Sequence, residues 1–189
     1  MKLVLSYNQK PLIMGVLNVT PDSFSDGGKY LHPDKAVKHA LQMVKDGADI
    51  IDIGGESTGP GSKNVLINEE LKRVLPVLKE LRSQTKALIS VDTWKARVAE
   101  RALECGADMI NDVTAMRGDK KMASVLTQYG KPIVLMYSKD KTARTSMKKT
   151  RYKDAVKTVK DFLKKQIDFA VRAGIKRKNL ILDPGMGAF

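Results

Sequence analysis

The sequence predicts an α/β fold built on a parallel sheet of the (β/α)8 TIM-barrel type, with about six of the eight β/α units present in its 189 residues. Three observations predict it. Six short apolar runs are continuous rather than alternating, as in parallel strands buried on both faces. Amphipathic stretches of helical period separate them, and strand–helix–strand alternation implies parallel pairing through crossovers. One turn also recurs: Gly47-Ala48-Asp49-Ile50-Ile51-Asp52 is echoed by Gly106-Ala107-Asp108-Met109-Ile110-Asn111, at the entry to the second and fourth runs. Repeated units suit a barrel, although a doubly wound sheet shares the alternation.

The strand candidates are Leu12–Leu17, Ile50–Ile53, Leu88–Val91, Met109–Val113, Ile133–Tyr137 and Leu180–Leu182. After the first, Asp34–Lys45 spaces Val37, Leu41 and Val44 by four and three, which makes one helical face. Asn68 is placed to cap the next helix, with Glu69 and Glu70 near its positive N-terminal end. Leu71, Val74, Leu75, Leu78 and Leu81 mark its buried face, and Pro76 is expected to kink it. Lys95–Cys105, Met122–Tyr129 and Tyr152–Ala173 each stop before a glycine (Gly106, Gly130 and Gly174), the residue that takes the left-handed cap most readily. No helix follows the sixth strand. A full barrel typically needs ~250 residues, so residues 1–189 read as one C-terminally incomplete domain.

Composition narrows the function classes. Apolar residues are 42 % and charged residues 29 % of the chain, enough for a core and against a disordered or fibrous protein. No apolar run approaches the ~18–20 residues that span a bilayer. Met1–Leu5 turns polar at Ser6, too short for a signal peptide, so a cytoplasmic protein without membrane contact is expected. The single cysteine, Cys105, excludes a disulfide framework and a multi-thiolate metal site. Of a net charge of +13, the segment Lys139–Lys178 supplies most, with 15 Lys/Arg against 4 Asp. It reads first as a solvated face and second as an attractor of anionic substrate or RNA. Phe162 and Phe169 sit at helical spacing and are expected in the core. That leaves a poor stacking platform, so nucleic acid is not the expected partner.

Active sites of such barrels lie at the C-terminal strand ends. Asn18, Asp92, Asn111 and Asp183 all stand where a strand meets its loop. Each has a plain structural use: a turn, a helix cap, a loop bond, an Asx turn before Pro184-Gly185. Together they suggest a mouth lined by carboxylates and amides, which is costly unless a ligand rich in N–H donors pairs them. Asp52, inside the second apolar run, reads as a buried supporting carboxylate. Met136 is the strand methionine nearest the mouth. Gly55-Glu56-Ser57-Thr58-Gly59 matches the G-x-S-x-G pattern of serine hydrolases. That motif needs a helix directly after the serine and a later histidine. Here Pro60-Gly61 follows, and His32 and His39, both read as surface residues, lie upstream.

Met14–Gly28, MGVLNVTPDSFSDGG, closely resembles the first signature of the dihydropteroate synthases, and Ile51–Thr58, IDIGGEST, resembles the second. Ile89–Thr93, Ile110–Val113 and Leu182–Gly185 resemble three further blocks in the same order. The resemblance implies condensation of 6-hydroxymethyl-7,8-dihydropterin pyrophosphate with p-aminobenzoate, releasing pyrophosphate with help from Mg2+. It implies pterin-binding and catalytic roles for Asp92, Asn111 and Asp183, and a pocket-wall role for Met136. Thr58 would contact the pyrophosphate, and Asn18 would act in catalysis near the metal. The loop Val19–Gly28 would close over the site. An aminopyrimidinone edge offers clustered N–H donors that carboxylates accept well.

The sequence departs from the family pattern in places. Gly59 replaces a common arginine, Tyr137 a common histidine, and Gly187-Ala188-Phe189 a Gly-Phe-Gly. The family's later lysine and Arg/His pair would lie beyond residue 189, so the chain alone is expected to be nearly inactive. Open sheet edges are expected to favour a homodimer or self-association. The competing readings are a pterin-binding methyltransferase-type domain, a non-catalytic pterin-binding fragment and an RNA-binding module.

Overall fold

Each of the six apolar runs forms a strand. In the computed structural model, which describes residues 10–20, 33–59, 61–140, 142–144, 146 and 150–186, they are β1 (Met14–Asn18), β2 (Ile50–Gly54), β3 (Leu88–Asp92), β4 (Met109–Asp112), β5 (Ile133–Met136) and β6 (Leu180–Asp183). All neighbours pair in parallel and in chain order, so β1 and β6 are the edges of the described sheet. Between them run α1 (Pro33–Lys45), α2 (Ile67–Gln84), α3 (Ala96–Glu104), α4 (Met122–Tyr129) and α5 (Ala155–Arg172).

The two faces of the sheet do different work. Leu17, Ile51, Ile53, Ile89, Val91, Ile110, Ile133 and Leu135 point to the helices and form the main core with residues such as Ala40, Leu78, Ala99 and Leu126. On the opposite face Ile50, Leu88, Met109 and Val134, with Met14 and Ile181, make a smaller apolar cluster near the N-terminal strand ends. Side chains alternate along a strand. Toward the C-terminal ends, therefore, that second face carries Asp52 and Ser90, then Asn18, Asp92, Asn111 and Asp183. The expected strands hold to within two residues, and the polar residues that end the runs share one face.

Several local expectations are corrected. Asn68 does not cap α2: the chain enters extended at Leu66 and no side chain caps this end, which places Asn68 inside the first turn. Pro76 lies inside this helix and does not end it, as a proline that at most kinks a helix allows. Both Pro76 and Lys72, whose carbonyl the proline leaves unbonded, are exposed, so water can serve that group. Lys95 lies just before α3 rather than in it. The free N–H of Ala96 is met by Asp119 Oδ2 at 2.9 Å, a cap from 23 residues away. α5 starts at Ala155, not Tyr152, because Asp154 Oδ1 accepts from Lys157 N at 2.8 Å. Phe162 packs edge-on against Tyr137 with ring centroids 5.2 Å apart. Phe169 is instead 40 % exposed: α5 is the last helix of the layer, and no described element packs on its far side. Gly130 does take the left-handed cap of α4 (φ 61°). No described helix is long and apolar enough to cross a membrane.

Asp119 also accepts from Lys121 N at 2.9 Å, so one carboxylate closes two helix starts. Asp119→Ala is expected to lower unfolding stability by about 1–2 kcal/mol, read as a shift in urea midpoint at unchanged slope. An unchanged midpoint would show that water replaces the cap.

Candidate functional site

The register puts four strand ends in one row. Asn18 pairs with Gly54, Gly54 with Asp92 and Asp92 with Asn111. Gly54 has no side chain, and a Cβ there would lie 3.4 Å from Asn18 Oδ1 and 3.7 Å from Asp92 Oδ2. The two polar groups thus lean toward the same space over the glycine. Asn111 Nδ2 donates to Asp52 Oδ2 at 2.8 Å. This bond fixes the amide and turns its carbonyl oxygen, an acceptor, away from the floor. Asp52 is buried, as expected, and its other oxygen and the Ser90 hydroxyl have no hydrogen-bond partner among the described residues. Burial pushes the Asp52 carboxyl up, and the Asn111 amide offsets this only in part.

Asp92 is held well above the ordinary carboxylate range. Burial is the largest cause, followed by the negative charges of Asp52, Asp112, Glu70 and Glu56. A ligand that donates N–H groups here relieves an existing electrostatic stress. Asp183 pairs with Met136 across β5 and β6. Its Oδ1 accepts from Gly185 N at 2.7 Å, so the Asx-turn use is realised and one oxygen remains for a ligand. Gly185 has φ 71°, and a Cβ on it would meet the Tyr137 carbonyl oxygen at 2.1 Å and Met136 Cγ at 3.6 Å. Only glycine fits between Asp183 and the β5 exit.

Asp112 takes the loop-bonding role considered for Asn111. It accepts from Thr114 N, Thr114 Oγ1 and Met116 N at 2.7–2.8 Å. Those bonds hold Ala115 and Met116 at φ 49° and 65°, a left-handed turn without glycine. Thr58 is partly buried in the β2–α2 loop and makes no hydrogen bond to the row. Most of the closing loop (21–28), His32 and the segment Gly187–Phe189 lie outside the described residues. The serine-hydrolase pattern is not an elbow: Ser57 is exposed, and no helix begins before Ile67.

Sequence reasoning missed a buried charge cluster under the mouth. Lys95 Nζ donates to Glu56 Oε2 at 2.5 Å, to Glu70 Oε2, and to the Val65 carbonyl at 2.7 Å. Glu56 also accepts from Trp94 Nε1, Val65 N and Arg144. Burial alone would raise the Glu56 carboxyl, but Lys95, the Val65 N–H and Arg144 outweigh it and hold it below its ordinary value. Glu70, read only as a favourable charge near the helix N-terminus, is buried. Its position offered a signal, since it falls on the same helical face as Val74, Leu78 and Leu81. Among the described residues no three His, Cys, Asp or Glu converge as a metal cluster.

With this geometry in view, the comparisons assign the class. The chain matches the pterin binding enzyme family over residues 14–188 and belongs to that family. It is 49 % identical over 183 residues to the dihydropteroate synthase of Bacillus subtilis and 46 % identical to that of Clostridium beijerinckii, covering 97 % and 95 % of this chain. The chain spans only 61 % and 64 % of those relatives' lengths. Among solved structures, dihydropteroate synthase from Clostridium difficile in the presence of pteroic acid superposes with a TM-score of 0.88 at 47 % identity, over 97 % of this chain and 67 % of that one. The Xanthomonas albilineans enzyme with 4-aminobenzoic acid gives 0.85 at 43 % identity, over 94 % and 62 %.

The raised Asp92 carboxyl gives a signed prediction. An acid whose folded-state pKa is raised weakens the fold once ionised. That penalty is absent below the unfolded value near 3.8 and complete above the folded one. Asp92→Asn is therefore expected to raise the melting temperature at pH 7–8 by a few degrees, at about 2–4 °C per kcal/mol for a chain of this size. The gain should shrink to nothing as the pH falls toward 4. A variant less stable than the parent at pH 8 would contradict this electrostatic account.

Proposed function

We propose that this chain is the pterin-binding part of a dihydropteroate synthase. The reaction condenses 6-hydroxymethyl-7,8-dihydropterin pyrophosphate with p-aminobenzoate. The observation that carries the reading is a set of acceptors on one face of the sheet: Asp92 and the Asn111 carbonyl fixed by Asp52, which share a register row, and the remaining oxygen of Asp183, two residues beyond that row on β6. Three convergent acceptors suit the N–H edge of an aminopyrimidinone. Met136, paired with Asp183, supplies apolar surface for the ring. The p-aminobenzoate nitrogen attacks the pterin methylene carbon, the carbon–oxygen bond to pyrophosphate breaks with its electron pair leaving on oxygen, and the nitrogen loses one proton.

Asn18 lies at the end of this row, with Thr58 on the next loop. A single amide oxygen beside a phosphate-bearing substrate suits Mg2+, a hard ion that keeps several waters and completes its shell with phosphate oxygens. When bound, it would neutralise charge on the departing pyrophosphate. In this reading Asn18 orients that end of the substrate, and Thr58 contacts it. A cytoplasmic location and self-association through the edges at β1 and β6 belong to the same reading.

Asn111→Ala and Asp183→Ala each strand N–H donors of a bound pterin, at about 1–3 kcal/mol. Both are expected to weaken pterin pyrophosphate binding by roughly 10–100-fold in calorimetry while circular dichroism stays unchanged. Unaltered affinity in both variants would refute the site. Asn18→Ala should lower turnover more than pterin affinity, because charge develops on the leaving group in the transition state. A pterin-binding remnant would bind the substrate and form no dihydropteroate at all.

A further inference from the structure

The β2–α2 loop, residues 55–66, borders the mouth but makes few bonds of its own. Its middle makes only local contacts among the described residues, Ser62 N and Ser62 Oγ to the Gly59 carbonyl and Gly59 N to Ser57 Oγ, while Val65 N donates to Glu56 Oε1 and ties its end to its start. Its start is anchored by Glu56 on Lys95, and its end by the Val65 carbonyl on the same ammonium. The middle is held from elsewhere. Arg144, in the loop between β5 and α5, donates through Nε to the Ser62 carbonyl at 3.0 Å and through Nη2 to the Lys63 carbonyl at 2.7 Å. The same Nη2 pairs with Glu56 Oε1. One guanidinium thus joins the start and the middle of a loop more than 80 residues away in sequence.

The charges also matter. Glu56, Glu70 and Lys95 alone leave one buried negative charge beside Asp92, on which both glutamates already act. Arg144 brings the cluster to neutrality. Lys63, which is exposed, is the only cation on residues 55–66 itself. At Gly59 a Cβ would meet only Ser57 Oγ, at 3.6 Å, so no side chain of this residue fills that part of the loop.

We propose that Arg144 is a positioning residue that latches the β5–α5 loop to the β2–α2 loop, and that its charge and its fork together allow this side of the mouth to accept the anionic leaving group of the substrate. The inference rests on the functional reading above and adds to it a residue outside the strand ends. Without Arg144 the loop keeps its two Lys95 anchors but loses its middle, and a polyanion approaches an uncompensated carboxylate.

The test uses two ligands, 6-hydroxymethylpterin pyrophosphate and 6-hydroxymethylpterin without phosphate, and hydrogen exchange of residues 59–65. In Arg144→Gln, exchange over 59–65 should accelerate about tenfold or more while α3 and the strands keep their protection. Affinity for the pyrophosphate ligand should fall by about tenfold, with affinity for the phosphate-free pterin kept within about twofold. Arg144→Lys restores the charge but not the fork. It should recover most of the anion affinity and little of the protection. Unchanged exchange in Arg144→Gln, or an equal loss for both ligands, overturns the proposal. Should the parent chain bind neither ligand, the functional reading and the anion role both fail, and the exchange result alone decides whether the latch exists.

Discussion

The buried ammonium of Lys95 is the interaction on which the mouth depends. It bonds two carboxylates and a backbone carbonyl, and these belong to three parts of the structure: the exit of β2, the first turn of α2 and the loop that enters α2. Its own backbone stands at the entry to α3. Such a cluster is not a strong source of net stability, because desolvating the charges offsets most of their attraction. What it supplies is exclusivity. Removing one member leaves buried charge without a partner, at about 3–5 kcal/mol, so the loops have one low-energy arrangement. Gly55 belongs to the same constraint: a Cβ there would lie 2.7 Å from Val74 Cγ2 and 3.0 Å from Glu70 Cγ. The loop can approach α2 closely enough to deliver Glu56 only because that position lacks a side chain.

The sheet face that carries Asn18, Asp92, Asn111 and Asp183 is not arranged for stability alone. Its lower half is apolar and contributes to the core. Its upper half carries Asp92, whose affinity for protons is raised by burial and then by the charges of Asp52, Asp112, Glu70 and Glu56. A face optimised for stability would not do this. Nor would it hold Ala115 and Met116, four and five residues after Asn111, in a left-handed turn that three hydrogen bonds to buried Asp112 must maintain. Both features become intelligible if the empty acceptors await donors, and if the turn serves to aim Asn111.

The fold was legible because its signals are local. The continuous apolar runs, the glycines after α3, α4 and α5, and the polar residues that close β1, β3, β4 and β6 can be read without knowing what packs against what. That Asn18, Asp92, Asn111 and Asp183 gather at one end of the sheet followed from topology: parallel strands all end on one side. What could not be read was the work of residues whose partners are distant. Asp119 caps α3 across 23 residues, Arg144 reaches Glu56 across 88, and Lys95 meets Glu70 across 25. Glu56 was visible as part of a spurious nucleophile pattern and of the IDIGGEST block, neither of which names its partners. Phe169 shows the reverse failure, where a correct helical period implied burial that depends on a neighbour the described structure does not supply.

The basic character of the chain also divides on physical grounds. Lysines of α5 such as Lys157, Lys160, Lys164 and Lys165 are exposed and sit on the solvated side of the helix. Three arginines behave differently. Arg82 bonds Asp108 and the carbonyls of Thr85 and Ala87. Arg117 bonds the carbonyls of Thr114, Ser138 and Asp140, with its guanidinium 4.7 Å from the Phe162 ring centroid. Arg144 bonds those of Ser62 and Lys63. Each pins a loop by several backbone acceptors at once, which a planar fork with five donors does and a compact ammonium does not. Two of the three pinned regions, held by Arg117 and Arg144, lie at the C-terminal ends of the strands, where loops must stay open to a ligand and so cannot be fixed by packing alone. The arginines replace the apolar contacts that a mouth cannot have, and an exchange of Arg for Lys at those positions changes structure rather than charge.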